Sequence, residues 1–149
     1  MPTPPSDDAD LELNRCRLLI DRRNWRTDKA YGFCILDRAS EQVIGRVNLN
    51  QIVRGVFYNA YVGYWIDTQF AGRGLMTEAL RLAIAAAFGP VGLHRVQAAI
   101  IPRNAPSIAV ARKVGFREEG HAARYLKIAG HWEDHTLFAI TAEEWDRPA

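Results

Sequence analysis

Apolar residues along the chain follow first a helical spacing, then an alternating one, then both in turn. From about Asp8, the positions Leu11, Leu13, Cys16, Leu18, Leu19, Ile20 and Trp25 predict a helix, with Asp7 or Asp8 placed to cap it. Tyr31 to Asp37 is a compact apolar run that ends in the turn-forming Asp37-Arg38-Ala39-Ser40, and predicts a strand. Val43 to Val53 alternates, Val43/Gly45/Val47/Leu49 against Ile44/Arg46/Asn48/Asn50, and predicts the next. Arg54-Gly55 turns the chain, and Val56 to Ile66 returns with aromatics at Phe57, Tyr58, Tyr61, Tyr64 and Trp65. These three strands read as an antiparallel meander.

The pattern changes after a loop from Asp67 to Arg73. Leu75, Met76, Ala79, Leu80, Leu82, Ala83, Ala86 and Ala87 recur at helical spacing among good helix formers, and Gly89-Pro90 closes the run. Arg95 to Ile101 predicts a strand, Pro102 to Ser107 a break, and Ile108 to Val114 a short helix ended by Gly115. Glu118 to Ile128 and Trp132 to Ile140 predict a last hairpin around Ala129-Gly130. The order is helix, three strands, helix, strand, helix, two strands. It predicts one α/β (α+β) domain over 1–149 with a mixed sheet, and 1–7 as a flexible tail.

Composition narrows the class. At 149 residues, with 48% hydrophobic and 24% charged, the chain is long enough to bury a core without disulfides or metals. The densest apolar stretch, Ala79 to Phe88, is interrupted by Arg81, so no membrane span is expected. The start, Met-Pro-Thr-Pro-Pro-Ser-Asp-Asp, lacks the features of a secretory signal, and Cys16 and Cys34 show no metal-ligand spacing. His131 and His135 are four apart on a strand and are expected to pair with Asp134 or solvent rather than with a metal. A cytoplasmic protein without a bound metal is the expectation. Nineteen basic against seventeen acidic residues leave +2, too little to demand a nucleic-acid partner. The basic cluster Arg15, Arg17, Arg22, Arg23, Arg26 and Lys29 reads as a solvated helix face, with RNA or an acidic partner as the alternative.

Candidate chemistry begins at Gln69-Phe70-Ala71-Gly72-Arg73-Gly74, which joins an aromatic strand to the strongest helix. Glycines there allow a close bend, and the first N–H groups of a helix lack internal partners. With the helix dipole they form a site suited to a pyrophosphate, to which Arg73 can add charge; the plain alternative is a tight turn with a glycine cap. A dinucleotide fingerprint would need a third glycine at Thr77, and no Gly-Lys-Ser/Thr is present.

Gln69-x-x-Gly72-x-Gly74 resembles the cofactor signature of the GNAT superfamily of acetyl-CoA-dependent N-acyltransferases, in the right context between a strand and the long helix. Asn104-Ala-Pro-Ser107 followed by Val114-Gly115-Phe116 resembles its second cofactor segment. A closer likeness is to RimJ-type ribosomal-protein-alanine N-acetyltransferases. It rests on Val53-Arg54-Gly55-Val56-Phe57 with Tyr61-Val62-Gly63-Tyr64, on Gly72 to Leu80, and on Glu119-Gly120-His121-Ala122, Tyr125-Leu126 and Trp132-Glu133-Asp134-His135.

The resemblance implies a mostly antiparallel sheet with helices on both faces, splayed between the fourth and fifth core strands. Backbone around Trp65 and Ile66 would hold the pantetheine arm, Ala71, Gly72, Arg73, Gly74 and Leu75 the pyrophosphate, and Asn104 the arm again. Acetyl-CoA is then the cosubstrate, and a primary amine the acceptor. The family's glutamate base is replaced by Tyr61, and the tyrosine seven residues after the asparagine by Ala111. Ser107 matches the serine that the closer subfamily offers to the departing sulfur; its plain alternative is capping of the short helix. Tyr125, Trp132 and Asp134 are candidates for the acceptor face, against ordinary packing in the hairpin.

Acetyl transfer needs a neutral amine. An α-amine of pKa about 8 is roughly a tenth to a third neutral at neutral pH, whereas a lysine near 10.4 is neutral less than about 0.1% of the time. A site without a carboxylate base therefore suits a protein N-terminus, ribosomal in the closer likeness, better than a lysine. A small-molecule amine such as a polyamine or antibiotic, and a CoA-binding module without turnover, are the alternatives. Against the family pattern the chain starts at the second helix, with the first strand and helix missing. The strand Tyr31 to Asp37 would then be an exposed edge, covered by a lost N-terminal segment or by a homodimer partner.

Overall fold

A computed structural model describes residues 21–146. Its elements are α1 (residues 21–26), β1 (Tyr31–Leu36), β2 (Val43–Val53), β3 (Asn59–Ile66), a 3-10 turn (Thr68–Phe70), α2 (Leu75–Phe88), β4 (Arg95–Ile100), α3 (Ala105–Val114), β5 (Arg117–Ile128), β6 (His131–Thr141) and α4 (Ala142–Trp145). The predicted helix start near Asp8, its Asp7 or Asp8 cap and the tail 1–7 lie outside the described residues. Among the described residues no helix is long and apolar enough to cross a membrane.

The strands form one sheet in the order β1-β2-β3-β4-β6-β5. Every neighbouring pair is antiparallel except β3 with β4. The sheet is thus mixed and mostly antiparallel, as expected. Val47, Leu49, Ala60, Val62, Val96, Ala98, Ile100, Phe138 and Ile140 share a buried cluster with Met76, Leu80, Ala83, Ile84 and Ala87 of α2 and with Ala111 and Val114 of α3. The neighbouring residue Arg46 points to the other face, where it meets Asp21 of α1 at 2.7 Å. Helices therefore cover both faces. No side chain caps α2 at Gly74. Its hold on the sheet comes from side chains such as Leu80 and Ile84, each of which stabilises by roughly 1.5–3 kcal/mol when fully buried.

Two boundaries and one added element differ most from the sequence reading. Strand β3 begins at Asn59 rather than Val56, because Tyr58 bends into the left-handed region (φ 48°) and its carbonyl accepts from the N–H groups of His94 and Arg95. Helix α3 begins at Ala105 inside the expected break, because the Asn104 side chain caps it. The short α4 after β6 was not foreseen. The hairpin turn is where expected, with Ala129 (φ 50°) and Gly130 (φ 84°) both left-handed, as a two-residue hairpin turn requires.

Candidate active site

The parallel β3–β4 pair zips for only three positions, Asn59↔Arg95, Ala60↔Val96 and Tyr61↔Gln97. From Val62 to Ile66, β3 continues against β2 but has no ladder to β4, which goes on to Ile100 against β6. The sheet therefore splays between β3 and β4. Unpaired backbone along one side of the opening is a ready template for an extended ligand with amide groups of its own. Gly45 permits the close approach of β2 to β3 beside this stretch: a Cβ there would lie 2.5 Å from the Trp65 carbonyl oxygen. Trp65 is partly exposed, and Ile66 is half-buried at the strand's end.

The opened strand runs into the glycine loop. Asp67 accepts from the Gln69 N–H at 3.0 Å and starts the 3-10 turn. Gly72 and Gly74 both sit at φ 77°, a conformation other residues adopt only with strain. No backbone acceptor among the described residues meets the N–H groups of Gly72, Arg73, Gly74, Leu75, Met76 or Thr77. Gly72, Arg73 and Gly74 are exposed and Leu75 half-buried, so the N-terminal end of α2 presents a run of free donors at the positive end of its dipole. Arg73 lays its guanidinium over the Phe70 ring, 5.4 Å from the centroid, and remains at the mouth of this cradle.

Across the opening lies the N-terminal end of α3. The Asn104 side-chain oxygen accepts from the Ser107 N–H at 3.3 Å, so Asn104 is the cap and the Ser107 backbone N–H its donor. Ser107 is half-buried. Its carbonyl accepts a 2.9 Å hydrogen bond from the phenol of Tyr64, which reaches over from the opened half of β3. Burial pushes the Tyr64 phenol above its ordinary value, and the Ser107 side chain, not the carbonyl contact, works the other way. Ala111, at the family's tyrosine position, is fully buried in the core. Tyr64 is the residue of this region that sequence reasoning missed. In the sequence it stands as a strand aromatic and as part of the Tyr61-Val62-Gly63-Tyr64 resemblance, with no role attached.

Tyr61 occupies the last paired position before the opening, beside Gln97, and no carboxylate stands on β3. Gln97 is itself oriented by a 2.9 Å bond from its amide nitrogen to Asn59. The hairpin candidates project past the end of β4, whose last pair is Ile100↔Thr136. Arg103, next to Asn104, holds Glu133 of this hairpin through two bonds of 3.1 Å, and this brings the two segments together. Trp132 is 62% exposed, and Tyr125 meets the His135 ring edge-on at 5.6 Å. Asp134 is engaged locally: it accepts from the Arg124 N–H at 2.8 Å and faces His121 at 3.3 Å. It thereby braces an irregular stretch where Arg124 is left-handed. His121, not His131 or His135, is its partner; His135 is buried and bonds the Glu133 carbonyl.

Residues 1–117 match the Acetyltransferase (GNAT) domain family. The chain belongs to the GNAT acetyltransferase family. Its reaction class is acetyl-CoA-dependent N-acetylation. It is 41% identical over 130 residues to the probable N-acetyltransferase YjcK of Bacillus subtilis, covering 87% of this chain and 72% of that protein. It is 39% identical over 116 residues to the [ribosomal protein uS5]-alanine N-acetyltransferase of Escherichia coli, covering 78% of this chain and 60% of that protein. The structure resembles Mycobacterium smegmatis RimJ in complex with CoA-disulfide, with a TM-score of 0.85 and 34% identity, over 99% of this chain and 71% of that one. The splayed GNAT sheet and the RimJ likeness expected from the sequence are thus present, and the chain spans only part of these relatives' length.

Proposed function

We propose that this GNAT acetyltransferase moves the acetyl group of acetyl-CoA onto the N-terminal α-amine of a protein, a ribosomal protein in the cytoplasm being the favoured acceptor. The observation that carries the cosubstrate side is the splayed β3 ending at the free N–H groups of Gly72 to Thr77. On this reading the opened backbone near Trp65 and Ile66 takes the pantetheine amides, Ala71 to Leu75 take the pyrophosphate, and the free amide nitrogen of Asn104 bonds the arm. The residues fit: donors are unspent, both glycines stand where the loop turns, and the Asn104 cap uses only that side chain's oxygen.

The acceptor amine attacks the thioester carbonyl directly, in a ternary complex. The new N–C bond forms, the C–S bond breaks, and the sulfur leaves with its electron pair. The Ser107 hydroxyl donates a hydrogen bond to that sulfur, which suffices for a thiol of pKa about 8.5. Tyr61 orients the amine, or a water beside it, and the amine's proton passes to solvent. Without a carboxylate on β3 the site has little means to deprotonate a lysine, which favours an α-amine. Tyr125, Trp132 and Asp134 border the acceptor's approach. The name of the E. coli relative supports the same class of acceptor.

The experiment is CoA release from acetyl-CoA in the presence of a peptide beginning with Ala or Ser, with spermine and an aminoglycoside in parallel and succinyl-CoA as a second donor. Release with the peptide and acetyl-CoA supports the reading. Release with the small amines alone replaces the acceptor, and no release with any of them leaves a CoA-binding module.

A further inference from the structure

Ser107 is held on both sides. Its N–H is taken by Asn104 at 3.3 Å, and its carbonyl receives the Tyr64 phenol at 2.9 Å. Among the described residues no other side-chain hydrogen bond joins the opened half of β3 to α3. Tyr64 faces the same side of the sheet as Val62 and Ala60, toward α2 and α3, and its ring is half-buried against the core cluster. A carbonyl has two lone pairs, so Ser107 can accept from Tyr64 and still serve the helix.

The arrangement has a geometric consequence. With the peptide groups on either side of Ser107 fixed, only its χ1 rotation decides where the hydroxyl points, and three staggered positions are available. The tether starts from the strand that would carry the pantetheine arm, so it references that hydroxyl to the strand itself. We infer that Tyr64 is a positioning residue for acetyl transfer: its bond across the splay sets where the Ser107 hydroxyl meets the departing sulfur. This rests on the role proposed for Ser107. The phenol stays protonated throughout the working pH range, since burial opposes its ionisation, so the tether does not come and go with pH.

The test is a double-mutant cycle on the whole chain: Tyr64→Phe, Ser107→Ala and the two combined. kcat and the KM for acetyl-CoA are measured with an acceptor the wild type turns over, well below each variant's Tm. Tyr64→Phe keeps the ring and its packing, and removes one donor. The expected result is a fall in kcat of about fivefold, the rate equivalent of one neutral hydrogen bond, with KM for acetyl-CoA changed by less than about twofold. Ser107→Ala falls at least as far, and the double variant matches Ser107→Ala alone, because Tyr64 acts only through that hydroxyl. Effects that multiply in the double variant overturn the inference, as does a Tyr64→Phe enzyme with lower Tm and unchanged kcat. Full activity in Ser107→Ala removes the proposed role of Ser107 and the inference with it. A wild type without turnover refutes the proposed acetyl transfer itself.

Discussion

Arg54 grips Asp28 through two parallel hydrogen bonds, Nε to Oδ2 and Nη2 to Oδ1, each 2.7 Å long. Its remaining nitrogen donates to the Val91 carbonyl at 2.7 Å, and Tyr31 donates to the same carboxylate at 2.5 Å. One guanidinium therefore joins the turn after β2, the turn before β1 and the link from α2 to β4. This is the closed end of the β3–β4 pair, where the His94 and Arg95 N–H groups meet the Tyr58 carbonyl. The end that opens is the other one.

Asp28→Asn is expected to lower stability by about 1 kcal/mol, a value discounted for side chains that are 34% and 39% exposed. The hydrogen bond from Arg54 holds the Asp28 carboxyl below its ordinary value of 3.8. A carboxyl depressed in the folded state stabilises fully above the unfolded value and loses that contribution as pH falls through the folded one. The Tm gap between wild type and variant should thus be constant near neutral pH and close as pH drops below the ordinary aspartate range. A gap that persists in acid would contradict the pairing.

Gly74→Ala separates space from backbone. No atom lies within 4 Å of a Cβ built at Gly72 or Gly74, so the substitution meets no clash. The left-handed φ alone costs about 1–2 kcal/mol. Acetyl-CoA affinity should fall at least tenfold while the far-UV spectrum stays that of the wild type. Calorimetric titration with CoA is the measurement, and wild-type affinity would refute the cradle.

Much of the fold was legible because it is local. The alternation of Val43 to Val53, the helical stripe from Leu75 and the turn at Ala129-Gly130 each state their element in consecutive residues. The misplaced start of β3 shows the limit: Val56, Phe57 and Tyr58 have strand-like side chains, but a carbonyl shared with His94 and Arg95, over thirty positions away, bends them out of the strand. The cofactor loop was readable from its glycines. Tyr64 was not, since a phenol bonded to a backbone carbonyl of a distant helix leaves no spacing or residue pattern behind. The bonds of Asp134 to Arg124 and His121 depend on an irregularity in β5 that alternation cannot foretell.

Asn104 is assigned two tasks, and they come apart in two variants. Asn104→Ala loses the cap and should cost about 1 kcal/mol of stability together with acetyl-CoA affinity. Asn104→Asp keeps an oxygen for the Ser107 N–H, so its Tm should stay near that of the wild type while the KM for acetyl-CoA rises. Equal KM values for Asn104→Asp and wild type would limit Asn104 to capping.

Tyr61→Phe addresses the missing base. With Tyr61 orienting the amine and not deprotonating it, kcat should fall less than about tenfold. The rise of kcat/KM with pH should follow the acceptor's own α-amine, near pKa 8, in wild type and variant alike. A loss of that pH dependence in the variant alone would make Tyr61 the titrating group.

The most direct measurement uses one peptide that begins with Ala and carries an internal Lys, incubated with the protein, acetyl-CoA and an equal amount of spermine. The site of any added acetyl group is then located by fragmentation mass spectrometry. The expected product is a single acetyl group on the α-amine, with spermine and the lysine unmodified. Acetyl on spermine or on the lysine alone, or no acetylated product at all, would contradict an N-terminal acetyltransferase.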